Sequence, residues 1–277
     1  DWGDGVSSDI DSSNYSTDCL HTYSSSGIYD IKVRGSIAGF AFYSGGLPSG
    51  KKDSSKLIKI KNWGDLNLTG GANSTGFTGL GNAFRDCVNL TEILCSDVPT
   101  FVNGIPGVTP NHGIGARQMF SGCTNLTRID NIANWEMKGV RNLNGMFLGC
   151  ANWLFGGSGI SINLSAWDVS YVYEFQNMFF GCTKGDFKLW DTLGGNYTGN
   201  IDCKGMFKNC ANFVNGNTGT IELWGSSFSQ VNNCQQMFYG ARLFNRDISG
   251  WDTSGVTNMY QMFSTNSAST VMEFNQP

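Results

Sequence analysis

Nine cysteines give this chain its most evident capacity for chemistry. Five of them follow a phenylalanine by three residues, in a pattern that most often reads Met-Phe-x-x-Cys. These five are Cys87, Cys123, Cys150, Cys182 and Cys210. Zinc sites usually show closely spaced pairs such as Cys-x-x-Cys, and this chain has none. A cysteine that recurs at one repeat position is typical of a small buried side chain, so we predict free, inert thiols.

The other four cysteines stand outside that register. Cys203 and Cys234 share a second repeat position, four residues before a phenylalanine. Neighbouring helices of a repeat lie about 8–10 Å apart, whereas a disulfide needs Cα atoms within about 7 Å. A disulfide would therefore need two cysteines that lie closer together than neighbouring helices do. The best candidate pairs Cys203 or Cys234 with one of the five cysteines of the Met-Phe-x-x-Cys pattern. Cys19 and Cys95 belong to neither position, and the pattern does not say whether they are bridged.

The histidines and methionines of the chain give little support to a catalytic function. The chain has two histidines, His21 and His112, without a third group in sequence that completes a triad or a zinc centre. Methionines next to the repeated phenylalanines fit core packing better than a soft-metal site. We predict a noncatalytic protein with no cofactor and no bound metal.

Acidic residues near the N-terminus are the other candidates for a metal site. Asp1, Asp4, Asp9 and Asp11 could bind calcium through carboxylate oxygens. Clusters of Asp and Gly also form turns, and we favour the turn.

Aromatic residues at positions that no repeat rule demands are candidates for ligand binding. Tyr and Trp are enriched at recognition surfaces. The candidates are Trp153, Tyr171, Tyr173, Tyr197, Tyr239 and Tyr260. The alternative is that several of them cover loops and neighbouring repeats.

A tandem repeat must position all of these residues. Consecutive marker phenylalanines are separated by 36, 27, 32, 28, 31 and 25 residues. The markers are Phe84, Phe120, Phe147, Phe179, Phe207, Phe238 and Phe263. Self-similarity at such a period is typical of a solenoid, whose units cannot bury an apolar face alone. We predict a solenoid of about seven units over residues 46–277 that continues beyond residue 277.

Two short elements are predicted in each unit. Apolar residues four before, one before, at and three after the phenylalanine form one stripe of a helix of about two turns. An apolar residue three positions before a tryptophan predicts a short strand, and one strand per unit would stack into a parallel sheet. These pairs are Ile60/Trp63, Ile132/Trp135, Leu164/Trp167, Phe187/Trp190, Ile221/Trp224 and Ile248/Trp251. The fold class is then an α/β repeat solenoid with a strand and a helix in each coil.

The last unit resembles a known family. It reads Trp251-Asp-Thr-Ser-x-Val-Thr-Asn-Met-x-x-Met-Phe263, preceded by Phe244-Asn-x-Asp-Ile248. This pattern resembles the BspA-like leucine-rich repeats of bacterial surface proteins, and similar units occur in some phage proteins. The resemblance covers roughly residues 55–277 and is weaker in the first two units. It implies a right-handed, leucine-rich-repeat-like solenoid displayed outside the cell, often in adhesion.

Residues 1–45 follow a different pattern. Asp1 to Gly5, His21-Thr-Tyr23 and Gly27 to Val33 resemble the C-terminal part of a polycystic-kidney-disease-type β-sandwich. Ile28 to Val33 alternates as a half-buried strand, with Tyr29, Ile31 and Val33 on one face. We expect a partial sandwich or a small β cap for the solenoid, because an uncapped end exposes apolar surface.

Amino-acid composition and net charge exclude some classes of function. The chain is 40% hydrophobic but only 14% charged, with a net charge of -4 and no basic run. Nucleic-acid binding is therefore not expected, and no segment approaches the length of a membrane span. The sequence favours an extracellular recognition or adhesion module that binds a protein or glycan on a host or neighbouring cell. Assembly of several copies into an oligomer or filament is a further expected interaction. The alternatives are a phage virion component, such as a tail fibre or capsid decoration, and a structural spacer in a surface appendage.

Overall fold

The computed structural model describes residues 1–9, 21–34, 53–64, 81–99, 101, 114–153, 162–191, 193, 195–214, 224–265 and 271–275. The chain divides into two compact units, Asp1–Ser36 and Ile37–Pro277. The predicted boundary at residue 45 lies outside the described residues, as do Cys19, His112 and Ile221.

An aromatic cluster organises the first unit. The Trp2 ring stacks on His21 with 5.0 Å between centroids, and Tyr23 stacks on Tyr29 at 4.0 Å. The His21 ring contacts the edge of Tyr23, and the Tyr23 hydroxyl donates to the Trp2 carbonyl. These four rings carry the packing of the described part of this unit.

The strand predicted at Ile28 to Val33 is wrong. None of the described residues of this unit lies in a strand, and Ile31 and Val33 are more than half exposed. Within the described residues, the backbone of Lys32 pairs with Asp1, through Lys32 N–H to the Asp1 carbonyl at 3.0 Å and through the N-terminal ammonium to the Lys32 carbonyl at 3.1 Å. One such pair cannot bury alternate side chains.

Parallel pairing links successive repeats in the second unit. Strands β1 (Lys59–Ile60), β2 (Glu92–Ile93) and β4 (Arg128–Ile129) form one three-stranded parallel sheet. Strand β6 (Ile162–Asn163) pairs in parallel with β7 (Phe187–Lys188). Ile60 and Phe187 lie in strands as the sequence predicted, but Ile132 lies in a 3₁₀ helix, Ile132–Asn134. Other 3₁₀ helices span Asp53–Lys56 and Gly225–Gln230.

A second parallel ladder runs just before the phenylalanines, and sequence reasoning did not predict it. Strand β3 (Ile114–Gly115) pairs with β5 (Val140–Asn142), and β8 (Ile201–Asp202) pairs with β9 (Val231–Asn233). Single parallel bridges join Asn142 to Glu174, Glu174 to Asp202 and Asn233 to Asn258. The residue five before each phenylalanine from Phe120 onward therefore belongs to one continuous column.

In the described repeats, the Met-Phe segment folds as consecutive turns, and the predicted helix is wrong there. In the repeat of Phe120, the Met119 N–H donates to Ala116 and the Cys123 N–H donates to Phe120, each three residues back. Between these bonds, the Phe120 N–H donates to the Met146 carbonyl of the next repeat at 2.8 Å. An α-helix would direct that N–H four residues back along its own chain. Left-handed backbone at Gln118 and Gly122 produces the turns.

Substitution of Gly181 distinguishes a helix from the observed turns in the Met-Phe segment. In a helix, Gly→Ala stabilises by about 1 kcal/mol, whereas at the observed φ of 77° alanine is strained by about 1–2 kcal/mol. We expect Gly181→Ala to lower the free energy of unfolding in urea. Gly181→Asn serves as the control and should be milder, because Asn209 adopts φ of 59° at the same repeat position. A stabilised Gly181→Ala variant would contradict the turn.

Stacked rings form the core of the repeats. The marker phenylalanines stack in chain order with centroids 5.4–5.7 Å apart and planes within 10° of parallel. Beside them, Trp135, Trp167 and Trp190 stack at 6.3 Å. Such offset stacks add to the free energy gained from area burial. The phenylalanine column predicted from sequence is therefore the core.

The described cysteines are free and buried. This confirms the prediction made for the five cysteines of the Met-Phe-x-x-Cys pattern, and the disulfide considered for Cys203 or Cys234 is not formed. Four of the five thiols of the Met-Phe-x-x-Cys pattern also donate to the carbonyl of the preceding marker phenylalanine. The Sγ–O distance is 3.1 Å for Cys123 to Phe84, 3.2 Å for Cys150 to Phe120 and Cys182 to Phe147, and 2.8 Å for Cys210 to Phe179. Cysteine at this position is thus a small buried side chain that also hydrogen-bonds the backbone. An alanine at the same position cannot make this bond.

Candidate functional site

A half-buried polar column follows the second ladder. Its members are Asn142, Glu174, Asp202, Asn233 and Asn258. In four of them the side-chain Oδ1 accepts the backbone N–H two residues later, for example Lys204 N–H to Asp202 at 2.8 Å. Asn and Asp form such turns readily, so these side chains both start the Met-Phe turns and hold a fixed orientation.

Amide side chains link neighbouring repeats on the same surface. Gln176 Nε2 donates to Asp202 Oδ2 at 2.8 Å, and Asn233 Nδ2 donates to the same oxygen at 3.1 Å. Asn144 Nδ2 reaches Gln176 Oε1 at 3.4 Å. We call this surface, from Asn142 to Asn258 with Asn144, Gln176, Lys204 and Gln235, the polar face. It presents amides and carboxylates in a regular array set by the spacing of the strands.

Glu174 is the electrostatically strained member of the polar face. It is half-buried and directly opposite Asp202 on the next repeat. Burial raises the pKa of the Glu174 carboxyl, the negative charge of Asp202 raises it further, and Arg117 partly offsets both. Like charges opposite each other in a ladder are destabilising.

Removal of the negative charge of Glu174 should stabilise the fold. A carboxyl pKa that is higher in the folded state lowers stability as pH rises through that pKa, because the folded state binds its proton more tightly. We expect Glu174→Gln to raise the free energy of unfolding by about 0.2–1 kcal/mol at pH 7. The gain should disappear below about pH 4, where the unfolded carboxyl is also protonated. Glu136→Gln, at an exposed position away from the ladder, is the control, and an equal gain there would contradict the explanation.

Three of the predicted aromatic residues gather at one margin of the polar face. Tyr173 and Tyr197 stack with centroids 4.7 Å apart. The Arg141 guanidinium lies 5.9 Å from the centroid of the Tyr171 ring, and the Arg141 carbonyl accepts the Tyr173 N–H. A guanidinium group at this distance from the face of a tyrosine ring makes a cation–π contact. This margin, Arg141 with Tyr171, Tyr173 and Tyr197, combines partly exposed rings with one positive charge.

The other predicted aromatic residues lie elsewhere. Tyr239 contacts the Lys208 ammonium, which lies 5.1 Å from its centroid and 5.3 Å from that of Phe180. Tyr260 is 61% exposed near the last ladder residue. Trp153 was predicted to bind ligand, and this prediction is wrong, because the side chain is fully buried and packs on Phe147 at 4.1 Å. Trp153 is a core residue.

The N-terminal acidic residues form turns in the described region. Asp1 Oδ1 accepts the Gly3 N–H, and Asp4 Oδ1 accepts the Val6 N–H. The other Asp4 oxygen contacts His21 Nε2 at 2.7 Å, and this hydrogen bond lowers the pKa of Asp4. Among the residues that the structure describes, no group of three or more His, Cys, Asp or Glu side chains could hold a metal ion. No helix in the described ranges is long and apolar enough to cross a membrane.

Sequence reasoning missed Glu174, Asp202, Gln176 and Arg141. Glu174 and Asp202 had a readable signal, because an Asn, Asp or Glu stands five residues before each phenylalanine from Phe147 onward. Gln176 and Arg141 lie at other offsets and had no such signal. Polar residues at a fixed offset indicate a column only after the strand that aligns them has been placed. That strand was not predicted.

The described part of the second unit is thus a tandem-repeat protein whose successive repeats pair in parallel and present a polar face. The family model described as "Mycoplasma protein of unknown function, DUF285" matches residues 115–220 and 201–277. These matches together cover more than half of the chain, and the chain belongs to this family. No curated protein and no solved structure matches it significantly.

Proposed function

We propose that the chain is a noncatalytic extracellular recognition or adhesion module in which residues 46–277 form a right-handed, leucine-rich-repeat-like solenoid. Its polar face would bind a glycan or protein on a host or neighbouring cell. The observation that carries this proposal is the continuous column from Asn142 to Asn258, with its amide network and the flanking tyrosines. Regularly spaced amides, carboxylates and aromatic rings match the hydroxyls and apolar faces of sugars or the polar surface of a protein.

Pre-organisation supports this proposal. Four of the five side chains of the column already accept backbone hydrogen bonds, and Gln176 and Asn233 are already bonded to Asp202. Because these side chains are already ordered, a ligand that binds them loses little free energy to side-chain ordering. A spacer has no need for a fixed polar array.

A binding screen with matched variants tests the proposal. The chain would be screened on glycan and cell-surface protein panels, and each ligand found would be titrated against Lys204→Glu and Lys138→Glu. Lys204 belongs to the polar face, whereas Lys138 is exposed outside it. We expect at least a tenfold loss of affinity for Lys204→Glu and none for Lys138→Glu. No binding on either panel, or equal effects of the two variants, would refute the proposal and favour a spacer.

A further inference from the structure

The side chain of Lys208 is held in one position at the surface of the central repeats. Its Nζ lies 5.3 Å from the centroid of the Phe180 ring in the preceding repeat and 5.1 Å from that of the Tyr239 ring in the following repeat. Nζ also donates a hydrogen bond to Gln236 Oε1 at 2.9 Å. These contacts fix a side chain whose four-carbon stem is otherwise flexible. We call Lys208, Phe180, Tyr239 and Gln236 the lysine site.

The positive charge of the lysine site has no counter-ion in the described part of the chain. No ion pair there joins Lys208 to a carboxylate. Asp202, in the same repeat, is already bonded by other donors. Its Oδ2 accepts the amides of Gln176 and Asn233, and its Oδ1 accepts the backbone N–H of Lys204. A negative charge for Lys208 must therefore come from a ligand.

The ammonium group also has hydrogen-bonding capacity for a ligand. It carries three N–H donors, and Gln236 is the one hydrogen-bond acceptor that the described residues supply. Lys208 is half-buried between its neighbours, and a partly desolvated charge is costly unless it is paired. Hydrogen bonds between an ammonium and an anionic oxygen are short and strong. The lysine site therefore fits an anionic group that offers two or more oxygens.

The surroundings of the lysine site favour a sugar over a peptide strand. Here the backbone is already paired, since the Gly205 N–H donates to the Gln235 carbonyl at 2.9 Å and the Lys208 N–H donates to the Gly205 carbonyl at 3.1 Å. Strand addition by a peptide depends on main-chain bonds of this kind. Gln236 follows Gln235 of the polar face, so the ammonium borders the amide array. One cation beside many amides matches a ligand with many hydroxyls and few charges.

We propose that the lysine site binds the carboxylate or sulfate group of an acidic glycan, whose neighbouring sugars contact the amides of the polar face. This inference rests on the proposed function, because it assigns the ligand class of the same surface. The two rings and Gln236 order the ammonium before the ligand arrives, so little free energy is lost to side-chain ordering. The anionic group would take the place of the missing counter-ion.

Isothermal titration of the full chain with matched oligosaccharides tests the proposal. The probes are a chondroitin sulfate hexasaccharide, its desulfated form and a neutral form that is both desulfated and carboxyl-reduced. We expect the sulfated probe to bind about tenfold or more tightly than the neutral form, and the desulfated form shows which anionic group is bound. A hexaglutamate peptide is the fourth probe. Tighter binding of this peptide would assign the site to an acidic protein and overturn the proposal.

The result also separates this proposal from the wider one. Equal affinity for the acidic and neutral forms, or no binding of the acidic forms, would overturn the acidic-glycan assignment. The proposed recognition function would stand if a neutral glycan or a protein from the panels bound the chain with a loss in Lys204→Glu.

Two lysine substitutions provide the matched control. Lys208→Met keeps the apolar stem, removes the charge and should weaken binding of the acidic hexasaccharide about tenfold or more, whereas Lys208→Arg should retain most of the affinity. Lys184 also donates to a side-chain amide, Asn152 Oδ1 at 2.7 Å, but it is exposed, and Lys184→Met should leave binding unchanged. Circular dichroism verifies that each variant is folded. Equal losses for Lys208→Met and Lys184→Met would show general charge attraction and overturn the proposal.

Discussion

Phe179→Ala is expected to lower the free energy of unfolding by about 3–5 kcal/mol. Phe179 is fully buried at the centre of the stack, with Phe147 and Phe207 each at 5.7 Å. The substitution leaves a cavity that rings on both sides cannot fill without breaking their own stacks. Urea unfolding followed by tryptophan fluorescence measures the loss, at an unchanged slope against denaturant.

The adjacent phenylalanine is the matched control. Phe180 points outward, is partly exposed and contacts the Lys208 ammonium at 5.3 Å. We expect Phe180→Ala to cost less than about 1 kcal/mol, the usual range for an exposed cation–π contact. Similar losses for the two variants would show that the register of the repeat is wrong.

The phenylalanine column was predictable because spacing alone defines it. An apolar ring that returns at each repeat has to be buried by its neighbours, whatever backbone carries it. Phe120, Phe147 and Phe179 are accordingly fully buried. The free thiols were predictable for the same reason, since Ala241 replaces cysteine at the same buried position.

The backbone of the Met-Phe segment was not predictable from that spacing. Stacked turns bury residues at three- and four-residue offsets, as a helix does, so the two conformations share one apolar pattern. The distinguishing signal was the glycine two residues after most markers, as at Gly122, Gly149 and Gly181, where φ is 76° or 77°. A helix penalises glycine, whereas these turns require its left-handed backbone.

The candidate site depended on contacts that the sequence does not contain. Tyr173 and Tyr197 are brought together across two repeats, and Arg141 reaches Tyr171 from a third. Insertions of different length between the repeats hide this alignment. Only the ladder that places Glu174 between Asn142 and Asp202 makes it visible.

Alkaline unfolding should be unusually steep, because the described part of the chain buries eight thiols. Burial raises the pKa of Cys87, Cys95 and Cys234 to about 12, and it raises the pKa of the other five as well. In the unfolded chain a thiol has a pKa of about 8.5. Since the folded pKa is the higher one, the contribution of each thiol is fully present below about pH 8.5 and is lost as pH rises toward the folded value.

The size of this effect follows from the number of protons released. Each thiol lowers the free energy of unfolding by about 1.4 kcal/mol per pH unit within this window. Eight thiols together give a slope on the order of 10 kcal/mol per pH unit, comparable to the whole stability of a typical domain. We expect the chain to unfold within about one pH unit above pH 8.5, before most lysines and tyrosines titrate.

Urea unfolding at a series of pH values between 7.5 and 10, under reducing conditions, measures the slope directly. The double variant Cys123→Ala/Cys182→Ala should reduce the number of protons released on unfolding by about two, whatever its own stability. Ala241 shows that alanine fits this repeat position. A slope of two protons or fewer in the unmodified chain would mean that most thiols are ionised or bridged in the folded state. Mass spectrometry after alkylation in denaturant without reductant separates these two outcomes, because only bridged cysteines escape modification.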